Sequence, residues 1–189
     1  MKILAFEYGH NVQTIDETIV CYPDSTLTRN NDDFYYPNFT KELVAYVGVY
    51  LQFTKIGKCI EPRFVNRYFS EFGAGIKFMA NDVIARNKLL GTATDIARGF
   101  DASLAISNEK IPFQCPISIE AKLNGTPLQI DTEQVANISE LIATATKYYT
   151  IKIGDFFFLP LMHEPIPVSI GDIFDISLSG EQMVTCTIK

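Results

Sequence analysis

Residues 43–54 alternate: Val44, Tyr46, Gly48, Tyr50 and Gln52 share one face of an extended chain, and Ala45, Val47, Val49, Leu51 and Phe53 share the other. The second face is wholly apolar, so it must be buried, and a one-residue slip in pairing would turn all of it outward. A strand so constrained needs a sheet around it. Residues 1–8 and 18–22 read as strands, the second ending at Pro23, which has no N–H for a ladder. Asn124-Gly125, between strands over 117–123 and 127–130, is a hairpin signal, because both residues accept the positive φ of a two-residue turn. Residues 76–80, 156–159 and 173–178 supply further strands, and Asn30-Asn31-Asp32-Asp33 belongs to a loop over 29–39. Two helices are expected. One covers 61–72, with Pro62 in its first turn and Gly73-Ala74-Gly75 ending it; the other covers 139–148 with Ser139 as N-cap. Strands outnumber helices and no regular βαβ alternation occurs, so the expected class is mixed α/β, mainly β, a roll or sandwich with a few short helices. A chain of 189 residues with 47% hydrophobic content can bury its own core as one domain over 1–189.

Charge and composition narrow the partners. Sixteen basic and twenty-two acidic residues give a net charge of -6, with no basic stripe, so a phosphate backbone is repelled and nucleic acid is excluded. No apolar run approaches the roughly 20 residues that span a bilayer, so a cytoplasmic protein without a membrane anchor is expected. Cys21, Cys59, Cys115 and Cys186 lie far apart without C-x-x-C spacing, the pattern of reduced thiols rather than a zinc site.

Just past the strand ending at Ala80 comes Asn81-Asp82-Val83-Ile84-Ala85-Arg86, followed by Ala97-Arg98-Gly99-Phe100-Asp101. Together with Tyr22-Pro23-Asp24-Ser25, Arg29-Asn30-Asn31, Gly57-Lys58, Lys152-Ile153-Gly154-Asp155 and Ile170-Gly171-Asp172, these segments resemble, in order and spacing, the fumarylacetoacetate hydrolase family. The resemblance covers the chain from Ile19 onward. It implies a β-sandwich roll, a homodimer, a bound magnesium or manganese ion, and hydrolysis, isomerisation or decarboxylation of small β-dicarbonyl and oxo-acid compounds.

The site residues implied by the resemblance are largely replaced. Tyr46 and Gly48 stand where the family places a Glu-x-Glu pair of metal ligands, and Asp82 matches the remaining ligand. Neither replacement ligates a hard cation, which takes oxygen donors, chiefly carboxylates. Glu42 is the nearest substitute, but recruiting it requires sliding a strand whose core face is set. Arg98 holds the place of a family Lys, keeping a positive charge for an anion while losing proton transfer. With Asp101 it is the candidate substrate-binding pair. Phe158-Leu159-Pro160-Leu161-Met162-His163 replaces a Thr-Gly-Thr-Pro loop, and the interval from His10 to Ile19 is shorter than the family's lid. His10 is a candidate proton-transfer group by its ordinary pKa, whereas His163 and Glu164, adjacent on a strand, point apart and form no dyad. Tyr35, Tyr36, Tyr46 and Tyr50 either fill the vacated cleft or form a partner surface.

Two functions follow. In the first, the chain is a pseudoenzyme without a metal cofactor, binding a small carboxylate through Arg98, or pairing as a homodimer or with an active paralogue as a regulatory subunit. In the second it is an active hydrolase, isomerase or decarboxylase of an acylpyruvate-like substrate, with Asp82, Glu42 and His10 converging on magnesium, manganese or water, and Arg98 holding the substrate carboxylate.

Overall fold

A computed structural model of the chain describes residues 1–8, 18–28 and 32–189. In chain order the strands are β1 (Lys2–Phe6), β2 (Ile19–Pro23), β3 (Leu27–Thr28), β4 (Leu43–Gln52), β5 (Glu71–Ala80), β6 (Leu104–Ile106) and β7 (Ile111–Pro112). They continue with β8 (Ile119–Leu123), β9 (Thr126–Pro127), β10 (Phe156–Pro160), β11 (Ile166–Pro167), β12 (Ile173–Leu178) and β13 (Glu181–Thr187). The α-helices are α1 (Asn81–Leu90), α2 (Asp95–Arg98), α3 (Glu133–Ala136) and α4 (Ile138–Tyr148). None of them is long and apolar enough to cross a membrane.

The larger sheet follows the path β2-β1-β10-β4-β5-β6-β3, with β11 on β4 and β7 on β5. Its two ends, β2 and β3, are consecutive in the chain, joined by the short 3-10 turn Asp24–Thr26. The sheet therefore rolls up, and the right-handed twist of its strands supplies the curl. The alternation of residues 43–54 divides its two faces as expected. Val47, Val49 and Leu51 lie on the outer face, in the main core with Phe174 and Ile176 of β12 and Leu141 and Ile142 of α4. The smaller sheet, β13-β12-β8-β9, covers part of that outer face. Tyr50 lies on the other face, in a second cluster with Ile3, Tyr22, Leu104 and Phe158. Tyr22 and Leu104 come from opposite ends of the path, so this cluster fills the inside of the roll.

The mainly-β class holds, and so do most strands within a residue or two. The Asn124-Gly125 hairpin forms with φ of 52° and 78°, joining β8 to β9. Gly154 and Gly171 also make their turns, at φ of 87° and 96°. The helix expected over 61–72 is a 3-10 helix of only Pro62–Arg67, because β5 begins at Glu71 and runs through both glycines. Gly73 and Gly75 face Gly and Tyr positions of β4, Gly75 opposite Gly48 and Gly73 opposite Tyr50. A Cβ at Gly73 would lie 2.5 Å from the Tyr50 ring. These glycines admit neighbours on the inner face rather than ending a helix. Ser139 lies within α4, whose N-cap is Asn137. Helices α1, α2 and α3 and strands β3, β6, β7, β11 and β13 are additions to the expected set.

Candidate active site

The inner face of the roll is not filled to its end. Beyond the Tyr50 and Phe158 side chains a cavity of about 550 Å³ opens, lined by Glu7, Tyr22, Tyr46, Lys77, Arg98 and Glu164 among others. Each residue arrives from a different segment. Glu7 follows β1, its N–H donating to the Thr18 carbonyl at 2.9 Å. Tyr46 and Lys77 are direct cross-strand partners on β4 and β5. Arg98 closes the short helix α2, where the Gly99 N–H donates back to the Asp95 carbonyl at 2.7 Å.

Lys77 is 3% exposed, an extreme position for a cation. Its Nζ donates to the carbonyl of Phe78 at 3.0 Å, to Ser103 Oγ at 2.9 Å and to the carbonyl of Arg98. It also sits 4.7 Å from the Tyr22 ring centroid, a cation–π arrangement. These acceptors, the Ser103 carbonyl at 3.5 Å and an aromatic face hold the amino group and tie β5 to the backbone of Arg98. The guanidinium of Arg98 in turn makes an ion pair from Nη1 to Glu7 Oε2.

This constellation is electrostatically tight. Burial pushes the Glu7 carboxyl up to about 7, against the pull of Lys77 and Lys88. Burial also lowers Lys77 to about 7, with Glu7 acting in the opposite direction, and it lowers Arg98. Tyr8 and Tyr46 are pushed up to about 12, first by burial and then by nearby carboxylates, so both are neutral phenols at physiological pH. Three buried polar atoms have no partner among the described residues: Glu7 Oε1, Arg98 Nε and Tyr22 Oη. Such groups are rare in folded proteins, and all three belong to residues that line this cavity.

The residues singled out from sequence are dispersed. Arg98 and Tyr46 line the cavity, and Gly48 lies two residues along the same face of β4. Asp82 does not line it. Its carboxylate accepts from Thr40 Oγ1 at 2.5 Å and from the Lys41 N–H at 3.1 Å, and these bonds hold its pKa below the usual range even though desolvation pushes the other way. Glu42 is exposed and contributes its carbonyl to the Asn81 N–H. Asp101 lines a separate, more open concavity with Tyr35, Phe39 and Arg86. His10 lies outside the described residues. His163 and Glu164 do point apart, Glu164 to the cavity and His163 to Asp131, with Nε2 to Oδ2 at 2.8 Å. Glu7 and Lys77 escaped the sequence reading, and Tyr22 entered it only within the segment Tyr22-Pro23-Asp24-Ser25, without a site role. Lys77 carried a signal, as a lone charge in the apolar run Ile76 to Ala80.

The residues present do not fit a hard divalent cation. No group of three His, Cys, Asp or Glu capable of holding one occurs among the described residues. Glu7, the carboxylate deepest in the site, faces Arg98 and Lys77, and Asp82 is committed elsewhere. At Gly48 even a Cβ would overlap the Leu159 carbonyl oxygen and lie 2.8 Å from Pro160 Cα, so a carboxylate side chain has no room there.

No protein-family model matches the sequence, and no curated protein matches it. Solved structures do match the fold. A protein from Yersinia pestis assigned to the fumarylacetoacetate hydrolase family superposes with a TM-score of 0.86 at 19% identity, over 100% of this chain and 92% of that one. The fumarylpyruvate hydrolase of Pseudomonas aeruginosa, in complex with Mn2+ and pyruvate, gives 0.80 at 16% identity, over 99% and 88%. The 2-hydroxyhepta-2,4-diene-1,7-dioate isomerase of Mycobacterium marinum gives 0.81 at 15%, over 99% and 73%. The chain has the fold of these proteins.

Proposed function

We propose that this chain is a metal-independent binder of small carboxylates, a pseudoenzyme that keeps the scaffold of its hydrolase and isomerase neighbours without a divalent ion. The observation that carries this reading is the cavity itself. Arg98, Lys77 and Lys88 surround it; among the described residues, two of its buried donors, Arg98 Nε and Tyr22 Oη, have no acceptor, and no constellation of acidic ligands accompanies them. Unpaired donors beside a guanidinium suit a carboxylate, which accepts from several donors at once. The neighbour from Pseudomonas aeruginosa holds pyruvate, which makes pyruvate the natural probe.

Calorimetric titration of the chelator-treated protein with pyruvate tests the reading. Saturable binding is expected, weakened by about tenfold or more in Arg98→Gln, since a hydrogen bond to a charged group contributes ~1.5–3 kcal/mol. Equal affinity in the variant would remove Arg98 from the site, and no binding by the wild type would overturn the reading. A regulatory role beside an active relative, as a mixed dimer, is the use of such a scaffold that we favour.

One observation favours a second reading. Glu7 and Lys77 are both brought to about 7 inside one cavity, and groups so matched are suited to proton transfer at neutral pH. On that reading the chain turns over an acylpyruvate-like oxo acid with these two residues as acid and base. Turnover that survives chelation and is lost in Lys77→Met at unchanged melting temperature would replace the first reading with this one.

A further inference from the structure

We propose that the cavity takes up a proton with each small monocarboxylate it binds, because Glu7 already occupies Arg98 and releases it to the ligand only as the neutral acid. The inference rests on the carboxylate-binding reading and deepens it. In the structure Glu7 Oε2 is the counter-ion of Arg98 Nη1. The second oxygen, Oε1, is buried without a partner. Glu7 thus holds the position that an incoming carboxylate would take, and leaves half of its own hydrogen-bonding capacity unused.

A ligand carboxylate entering beside Arg98 puts two carboxyl groups around one guanidinium in a poorly hydrated space. Two carboxylates sharing a site cannot both stay ionised cheaply, and the pKa of one rises. The ligand, in water, has an ordinary low pKa, whereas Glu7 is already pushed up to about 7 by burial, so the proton goes to Glu7. Once neutral, Glu7 gains an O–H to donate and no longer competes for the guanidinium.

The charged and titratable groups around Glu7 set the balance. Lys77 on β5, Lys88 on α1 and Arg98 on α2 are the basic groups that face it, and Glu164, before β11, is the second acid; Tyr8 and Tyr46 are neutral phenols. Lys77 is the other group that could accept a proton as an anion enters. Its three donors are already given to Phe78, Arg98 and Ser103, which is the hydrogen bonding of an ammonium, so it has little left to gain. The pH dependence then follows. Above the free-state pKa of Glu7, each unit of pH should weaken binding up to tenfold until the bound-state pKa is passed. Below it Glu7 is already neutral, and affinity should become flat.

The test is pyruvate titration of the intact protein at pH 8 in two buffers of different ionisation enthalpy, with the wild type and Glu7→Gln. Expected is an uptake of about one proton per pyruvate in the wild type, falling toward zero below pH 6, and none in Glu7→Gln, whose affinity no longer varies with pH. Binding without uptake in the wild type would overturn this inference while leaving the carboxylate reading in place. Uptake that persists in Glu7→Gln would assign the proton to Lys77 and overturn it equally. Absence of pyruvate binding by the wild type would overturn both. Should the variant fold poorly, the wild-type affinity profile from pH 5.5 to 8.5 decides alone, and a flat profile contradicts the inference.

Discussion

Asp155 and Asp82 show two carboxylates employed in structure, in contrast to Glu7. Asp155 is 2% exposed and accepts from the N–H groups of Lys2 at 3.0 Å and Lys152 at 2.8 Å, and from Lys2 Nζ. These bonds outweigh desolvation and hold its carboxyl below the usual aspartate range. Its folded pKa is depressed, so its stabilisation is present above pH 3.8 and is lost as pH falls through the folded value. Asp155→Asn should lose about 2–3 kcal/mol at pH 7, a fall of ~4–12 °C in melting temperature for a chain of this size. Melting curves of the two proteins should converge below pH 3.8. For Asp82 the expectation separates a structural role from a ligand role. Asp82→Ala removes the acceptor of Thr40 and Lys41, so a loss of about 1–2 kcal/mol with unchanged pyruvate affinity is expected. Weakened pyruvate binding at unchanged stability would instead place Asp82 in the site.

At the level of elements, β4 and β5 decide what the site can be. Their register sets Tyr46 opposite Lys77 and Gly48 opposite Gly75, and β10 crosses so close to Gly48 that a side chain meets backbone. Installing an acidic pair by Tyr46→Glu with Gly48→Glu should therefore yield a destabilised protein rather than a metal site. Gly48→Ala alone should cost about 1–3 kcal/mol, as overpacking against unyielding atoms does, read as a drop in the denaturation midpoint. An unchanged midpoint would mean that β10 gives way easily. The two-residue period of residues 43–54 foretold which face of β4 is core, because that face must be apolar along its whole length. The glycines of β5 misled, since Gly-Ala-Gly reads as a helix end in sequence and only the Tyr50 and Phe158 side chains explain it as strand.

For the whole molecule, the roll is what assembles the cavity. Glu7, Tyr22, Lys77 and Arg98 are separated along the chain and come together because β2 and β3 bring the two ends of one sheet round to each other. Arg98 was legible beforehand through its motif, and Lys77 only as an odd charge in an apolar strand. Glu7 had no local sign, because its significance lies in facing Arg98 across the roll. Tyr46 and Gly48 were equally legible as non-carboxylates on one strand face, and the packing at Gly48 supplies the physical reason that a carboxylate is not accommodated there. These observations lead to one claim, a carboxylate site that works without a divalent ion. The measurement that tests it most directly is the pyruvate isotherm recorded twice, in EDTA and in excess Mn2+. The same affinity in both is the expected result; binding that appears only with Mn2+, or tightens more than about tenfold with it, ~1.4 kcal/mol, would contradict the claim.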